Sequence, residues 1–491
     1  SCMALASRRP VGGGRVRVVR LPCVAVVAAC VSFGQAALAA SKADPARAGE
    51  ADFRALYREL VETDTSLSSG SCTLAAERMA ARLTAAGYAK ADVEVVVPPD
   101  FQRQGNLVAR IAGTDAKLKP MLLLAHIDVV EAKRSDWKRD PFTLVEENGY
   151  FYARGAVDDK AMAASFVDAF IRYKREGYRP KRTIKLALTC GEETDSVFNG
   201  VQYLLAKTPD ALAAEFAVNE GGSGNLDENG KPISFGVQIG EKIYQDFTFT
   251  VTAPGGHSAR PTDDNAIGRL AAAVARIDRY RFPVNMTEAT RGFFRRTSAL
   301  YAGQTAKDLA AAGNGTADEA AFARIAAANP LWNAFLRTTC IPTQLAGGHA
   351  PNAQPQHAEA NVNCRIMPGE TVDAVRARLA EVAGDSKVEI GLAAEPGPQP
   401  PAPPLDARIM KPVERIAAEM WPGVPVIPSL SSGATDGRFL NAAGIPTYGI
   451  SGVFRDPDGN GVHGLDERIR VTALMDARAF LYRLVKAYSA K

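Results

Sequence analysis

The chain has 491 residues, 46% of them hydrophobic, which is too many for one ordinary core and enough to bury two. The formal charge of +4 is concentrated at the start: residues 1–40 hold Arg8, Arg9, Arg15, Arg17 and Arg20 and no acid, so removing these five leaves −1. A near-neutral body without a basic run excludes an electrostatic case for nucleic acid or an anionic membrane as partner.

Residues 1–40 read as an export signal. The arginines precede an apolar run over 21–34, and Ala37-Leu38-Ala39 offers small residues for cleavage near Ala40. A membrane anchor is one rival, but the apolar stretch only reaches the lower limit of a spanning helix. Lipid attachment at Cys30, after Val27-Ala28-Ala29, is the other, and ranks below cleavage because the apolar run continues past it. Export implies a secreted protein, periplasmic in a bacterium, with no stable membrane insertion once the signal is cut. Cys2, Cys23 and Cys30 would leave with the signal. Cys72, Cys190, Cys340 and Cys364 remain, open to alternative disulfide pairings or to burial as free thiols.

Apolar residues at helical spacing predict helices over 53–60 and 74–86, the second stopping at Gly87, followed by strands over 93–97, 106–111 and 121–125. A long helix follows Asp159 and ends at Gly177, and 183–189 is another apolar strand. This alternation predicts an α/β fold, a mixed sheet flanked by helices, with chemistry where strands end and loops begin. From 245 the order becomes β-α-β-β-α-β: strand 246–253, helix 266–280, strands 337–345 and 358–366, helix 372–382, strand 387–392. That is the split unit of a ferredoxin-like sandwich. The expected organisation is therefore a first domain built from 41–244 and 405–491, with 245–394 inserted into it. Alanine-rich, helix-prone sequence over 290–333 interrupts the insert, and a proline-rich linker at 395–404 leads back.

Only five histidines occur in the chain, and His126 ends an apolar strand in Leu122-Leu-Leu-Ala-His126-Ile-Asp128. Alternate strand residues share a face, so Asp128 can accept a hydrogen bond from the His126 ring and fix it as a metal ligand. Asp158 and Asp159 are adjacent carboxylates between a glycine turn and a helix start, which capping and the helix dipole partly explain. Glu192 and Glu193 follow another buried strand, and neighbouring glutamates there repel unless a cation or a proton compensates. Asn219-Glu220-Gly221-Gly222 closes a further apolar segment, and His463 stands among glycines near the C-terminus. Two histidines and three carboxylates, with a glutamate to spare, suit two divalent ions sharing one carboxylate, and the nitrogen donors favour zinc. No HExxH helix is present.

These ordered motifs resemble the co-catalytic zinc exopeptidase family of succinyl-diaminopimelate desuccinylase, acetylornithine deacetylase, aminoacylase and glutamate carboxypeptidase, from about Leu56 to the C-terminus. The resemblance implies two zinc ions per chain, with cobalt or manganese as substitutes. One would be held by His126, Asp158 and Glu220, the other by Asp158, Glu193 and His463, with Asp158 bridging. It implies Glu192 as general base, Asp128 behind the histidine ligand, and a cis bond from Asp158 to Asp159. The inserted domain resembles the family's lid, which also makes a homodimer contact. His257, in Gly255-Gly256-His257-Ser258, matches the lid histidine that holds an oxyanion, and Asn352 and Arg365 match residues that hold the substrate's carbonyl and carboxylate. No role attaches to His349 or His357. The 290–333 stretch departs from the family's compact lid.

The resulting expectation is hydrolysis of an amide or peptide bond beside a free carboxylate in a small substrate, as in a carboxypeptidase. An N-acyl-amino-acid amidohydrolase and a dipeptidase are the alternatives. A zinc- or peptide-binding protein without catalysis is a different class, and Glu192 argues against it because such a protein would not need a base.

Overall fold

The computed structural model describes residues 44–490, so the readings placed on residues 1–40, signal cleavage, membrane anchor and lipid attachment at Cys30, lie outside the described residues. Seven strands of the first sheet precede the second: β1 (Val93–Val96), β2 (Asn106–Ile111), β3 (Met121–His126), β4 (Ile184–Thr189), β5 (Phe216–Asn219), β6 (Gly224–Leu226) and β7 (Pro232–Glu241). A second group follows, β8 (Ile243–Thr252), β9 (Thr339–Gly347), β10 (His357–Ile366) and β11 (Glu389–Leu392), and then β12 (Val426–Ser431), β13 (Thr447–Gly449) and β14 (Phe454–Arg455).

The first sheet has ten strands in the order β1-β2-β4-β3-β5-β13-β7-β6-β14, with β12 also paired to β7. It is mixed. β3 is parallel to β4 and β5, and β13 to β5, whereas β1, β2 and β7 pair antiparallel with their neighbours β2, β4 and β13. The period-2 rule places its two faces. Met121, Leu123 and Ala125 of β3 pack into one core with helices α1 (Glu50–Val61), α2 (Cys72–Ala85) and α3 (Lys160–Arg175). Leu122 and Leu124 pack into another with Val201, Leu204 and Leu440 from the short helices Gly200–Lys207 and Gly437–Ala442. Helices thus cover both faces.

The second sheet, ordered β9-β10-β8-β11, is antiparallel throughout. Helices α4 (Ala266–Arg279) and α9 (Val372–Ala383) share one apolar cluster with it, in which Leu270 and Leu379 meet Phe247 and Phe249. Between them, 290–333 contributes most of four helices, α5 (Glu288–Thr297), α6 (Gly303–Asn314), α7 (Glu319–Ala328) and α8 (Pro330–Leu336). They form their own cluster around Phe294, Leu309 and Phe335, which also takes in Leu430 of β12. The second sheet starts earlier than its sequence pattern suggests. A single residue, Lys242, joins β7 to β8, and its buried ammonium donates to the carbonyls of Ala334 and Arg337, both at 2.9 Å, and to Thr339 Oγ1 at 3.2 Å.

Disulfides join Cys72 to Cys190 and Cys340 to Cys364, so the free-thiol alternative does not hold. Cys340 and Cys364 are directly opposed on β9 and β10. Among the described residues no helix is long and apolar enough to cross a membrane.

Candidate active site

Three neighbouring parallel strands end at the same edge of the first sheet. His126 is the last residue of β3, Cys190-Gly191-Glu192-Glu193 continues β4, and Glu220 follows β5. Carboxyl ends of adjacent parallel strands are where α/β sheets place their ligands. Gly191 makes the turn: its φ is +92°, and a Cβ there would lie 2.1 Å from the carbonyl oxygen of Phe198. Asp158 stands before α3, and its bond to Asp159 is cis, as the resemblance implied. His463 comes from a C-terminal loop and holds φ at 59°.

Asp158 sits between the two histidines. Its Oδ1 is 3.0 Å from His126 Nε2 and its Oδ2 is 3.1 Å from His463 Nε2. Glu220 Oε1 lies 3.6 Å from His126 Nε2, and Glu193 Oε1 lies 2.8 Å from His463 Nε2. Donor atoms within 4.8 Å of one another form the groupings His126–Asp158–Glu220 and Asp158–Glu193–His463, and a third, His126–Glu192–Glu193, overlaps them. All five expected ligands and Glu192 therefore converge. Asp128 takes a position that differs from the one expected. His126 Nδ1 is nearer its main-chain carbonyl, at 3.0 Å, than its carboxylate, at 3.6 Å. That carboxylate instead accepts the main-chain N–H groups of Glu192 and Glu193 at 3.2 and 3.0 Å.

Burial of so many acids is costly without compensating charge. Burial lifts Glu192 well above the ordinary carboxylate range, with the charge of Glu220 adding to it. Burial likewise pushes Glu220 up to about 8, against the pull of His126. Asp158 goes the other way: burial opposes ionisation, but hydrogen bonds to His126 and His463 hold it low. Those from Asp158 and Glu193 push His463 up to about 10. Two imidazoles share four carboxylates, and that excess of negative charge among N and O donors fits divalent cations.

The cluster opens into a cleft of about 1210 Å³ that reaches the second sheet and the proline-rich stretch, where Pro398 and Pro400 line it. Arg365 of β10 lines it as well, stacked 4.5 Å over the Tyr244 ring with Nη1 donating to the Ser432 carbonyl at 2.7 Å. His257 and Asn352 do not line it. They lie together on an exposed two-stranded ribbon, where Gly256–His257 pairs antiparallel with Ala353–Gln354 and Ser258 N donates to the Asn352 carbonyl at 3.1 Å. Residues that sequence reasoning overlooked come from the segment after β12. Arg438 lines the cleft, ion-paired with Asp195. Asp436, buried, accepts from Asn199 Nδ2 at 2.6 Å and Thr189 Oγ1 at 3.2 Å. The signal was available, since Gly433-Ala434-Thr435-Asp436-Gly437-Arg438 is a glycine-flanked polar run that closes an apolar segment.

The family described as "Peptidase family M20/M25/M40" matches residues 122–487. The chain is 29% identical over 383 residues to the N-fatty-acyl-amino acid synthase/hydrolase PM20D1 of Mus musculus, covering 77% of this chain and 75% of that protein. It is 27% identical over 383 residues to aminoacylase-1 of Pongo abelii, covering 76% and 81%. The structure of an M20 family metallo-carboxypeptidase from Sulfolobus solfataricus shares the fold, with TM-score 0.63 and 19% identity over 89% of this chain and 99% of that one.

Proposed function

Because the chain belongs to peptidase family M20/M25/M40, we propose that it is a two-zinc enzyme that cuts an amide bond beside a free carboxylate, with Glu192 as its base. At the coarser level it is a metal-dependent hydrolase of amide or peptide bonds, of the exopeptidase type. One observation carries the finer reading: the two oxygens of Asp158 face different histidines, each with its own glutamate. His126, Asp158 and Glu220 would hold one zinc, and Asp158, Glu193 and His463 the other. When bound, the pair would supply Lewis-acid polarisation of the scissile carbonyl and a water of lowered pKa.

Glu192 then takes a proton from the attacking water and returns it to the leaving amine. Arg365 presents its guanidinium to the substrate carboxylate in the cleft, in fork geometry, and Asn352 holds the carbonyl. The second sheet serves as a lid, and His257 steadies the oxyanion from it. The exposed edge strand β9, with Ile341 58% and Leu345 64% exposed, supports a homodimer through this lid. Two disulfides support export to an oxidising compartment, secreted or periplasmic.

The similarity to an N-fatty-acyl-amino acid synthase/hydrolase and to aminoacylase-1 supports a second reading within the same chemistry, an N-acyl amino acid as substrate in place of a short peptide. Zinc-loaded protein assayed against N-acyl amino acids, dipeptides and C-terminally amidated controls tests both. The expected result is hydrolysis that requires the free carboxylate. Equal turnover of the amidated controls would overturn the role of Arg365, and no turnover of any substrate by protein holding two zinc ions would overturn the enzyme reading.

A further inference from the structure

The two segments that carry Asp158 and His463 are far apart in sequence, and a buried carboxylate joins them. Glu467 is 1% exposed. Its Oε2 accepts from Arg154 Nη1 at 2.9 Å and Gly155 N at 3.0 Å, and its Oε1 from Val157 N at 2.8 Å and Asp158 N at 3.1 Å. Its own carbonyl accepts from Ala153 N at 3.1 Å, and Arg154 Nη2 donates to the Gly464 carbonyl at 2.8 Å. The segment 153–158 ends on Asp158, and 463–467 begins with His463, so this side chain, which takes four of the six hydrogen bonds just given, bears on the spacing between these two candidate ligands.

The C-terminal segment would not keep its shape unaided. Asn460, His463 and Asp466 all hold positive φ, at 62°, 59° and 52°, a conformation that persists only where the surroundings over-determine it. Residues 456–467 spell the pattern of a calcium-binding loop, Asp456-x-Asp458-x-Asn460-Gly461 with Glu467 after five intervening residues. The structure uses those acids differently. Asp456 pairs with Arg470 and Asp458 with Arg468, strands and not helices flank the loop, and Glu467 faces away onto 154–158. Arginines compensate the charges at one end of the loop, and four N–H donors hold the carboxylate at the other.

We infer that Glu467 is a positioning residue that sets the distance between His463 and Asp158 and thereby the affinity for the ion those two share with Glu193, an inference that rests on the two-metal reading above. An ionised carboxylate offers only acceptors, which four donors require. Glu467→Gln keeps the volume but turns an amide NH₂ toward one donor pair, so it should open that spacing without emptying the core.

The test is a competitive titration of metal-free protein with zinc against a chelator of known affinity, together with melting temperatures of the metal-free forms. Wild type is expected to bind two ions. E467Q is expected to bind one of the two about 10- to 100-fold less tightly, the range for residues that orient a metal ligand, with a smaller change for the other. If E467Q does not fold, Arg154→Met, which leaves three main-chain donors on Glu467, is expected to weaken the same ion several-fold. Unchanged affinities with a lowered metal-free melting temperature would make Glu467 a stability residue only and overturn the inference. Equal weakening of both ions would also overturn it. A wild type that binds fewer than two ions would overturn the two-metal reading itself. Micromolar calcium that raises the wild-type melting temperature but not that of E467Q would assign Glu467 to calcium instead.

Discussion

The carboxylate of Asp128 accepts the main-chain N–H of Glu192 at 3.2 Å, so a residue two places beyond His126 also fixes the loop carrying the proposed base. Its other oxygen accepts the N–H of Glu193 at 3.0 Å. Asp128→Asn leaves one acceptor for two donors and sets an NH₂ against the other. The expected result is a kcat lower by about 10- to 100-fold. Steady-state kinetics with metal content measured on the same sample check it, and a wild-type kcat would show that the loop needs no such anchor.

Glu192 and Glu193 are neighbours with different proposed tasks, one a base and one a ligand. Glu192→Gln should retain both ions and lose about 10²- to 10⁴-fold in kcat, with little change in KM. Glu193→Gln should instead lose an ion, because a neutral amide is a poor partner for a dication. Zinc lost from the Glu192 variant would move Glu192 into the ligand set, as the grouping with His126 and Glu193 allows.

His257 stands on an exposed two-stranded ribbon, and its Nδ1 accepts the N–H of Ala259 at 3.1 Å, leaving Nε2 for another partner. His257→Ala should lower kcat by about 10²- to 10³-fold with both ions bound, the effect of removing an oxyanion donor. Lys242 pins the crossing between the sheets, which favours donation from a second chain. Mixing the inactive His257→Ala and Glu192→Gln proteins should then restore part of the activity, since a mixed dimer holds one intact site. No recovery, once subunit exchange is demonstrated, would mean that the donor comes from the same chain.

Glu241, at the end of β7, is buried, with Oε2 accepting the N–H of Thr435 at 2.6 Å and Oε1 without a protein partner. Burial pushes its pKa from 4.5 up to about 8. The folded state therefore holds this proton where the unfolded chain has released it. Its contribution to stability is complete below pH 4.5 and is lost as pH rises through about 8. Glu241→Gln cannot ionise, so its melting temperature relative to wild type should rise between pH 5 and pH 9, a span set by that shift. A difference constant across those pH values would mean that Glu241 is ionised throughout.

The sequence by itself determined the parts whose code is local. Apolar runs that stop at a polar pair placed His126, Glu192, Glu193 and Glu220 at strand ends, and helical spacing foretold α1, α2 and α3. The β-α-β-β-α-β order of the second sheet was equally legible, because each element carries its own periodicity. Short strands such as β6, β13 and β14 were not, since three or fewer residues carry no period.

Only the tertiary structure decided what depends on segments distant in sequence. The cysteine pairings followed from Cys340 and Cys364 lying opposite each other on β9 and β10, and from Cys72, the first residue of α2, meeting Cys190 just past the end of β4. The carboxylate of Asp128 lies nearer the Glu192 and Glu193 amides than the His126 ring because the β4 loop turns back at Gly191, an approach that spacing along one strand does not encode. Arg365 reaches the cleft while His257 and Asn352 do not, because β10 runs beside β8 toward the crossing at Lys242, whereas the short ribbon of His257 lies beyond the far end of β8. Such placements are set by side-chain contacts across the packed core, and one strand's sequence holds no record of its neighbour's.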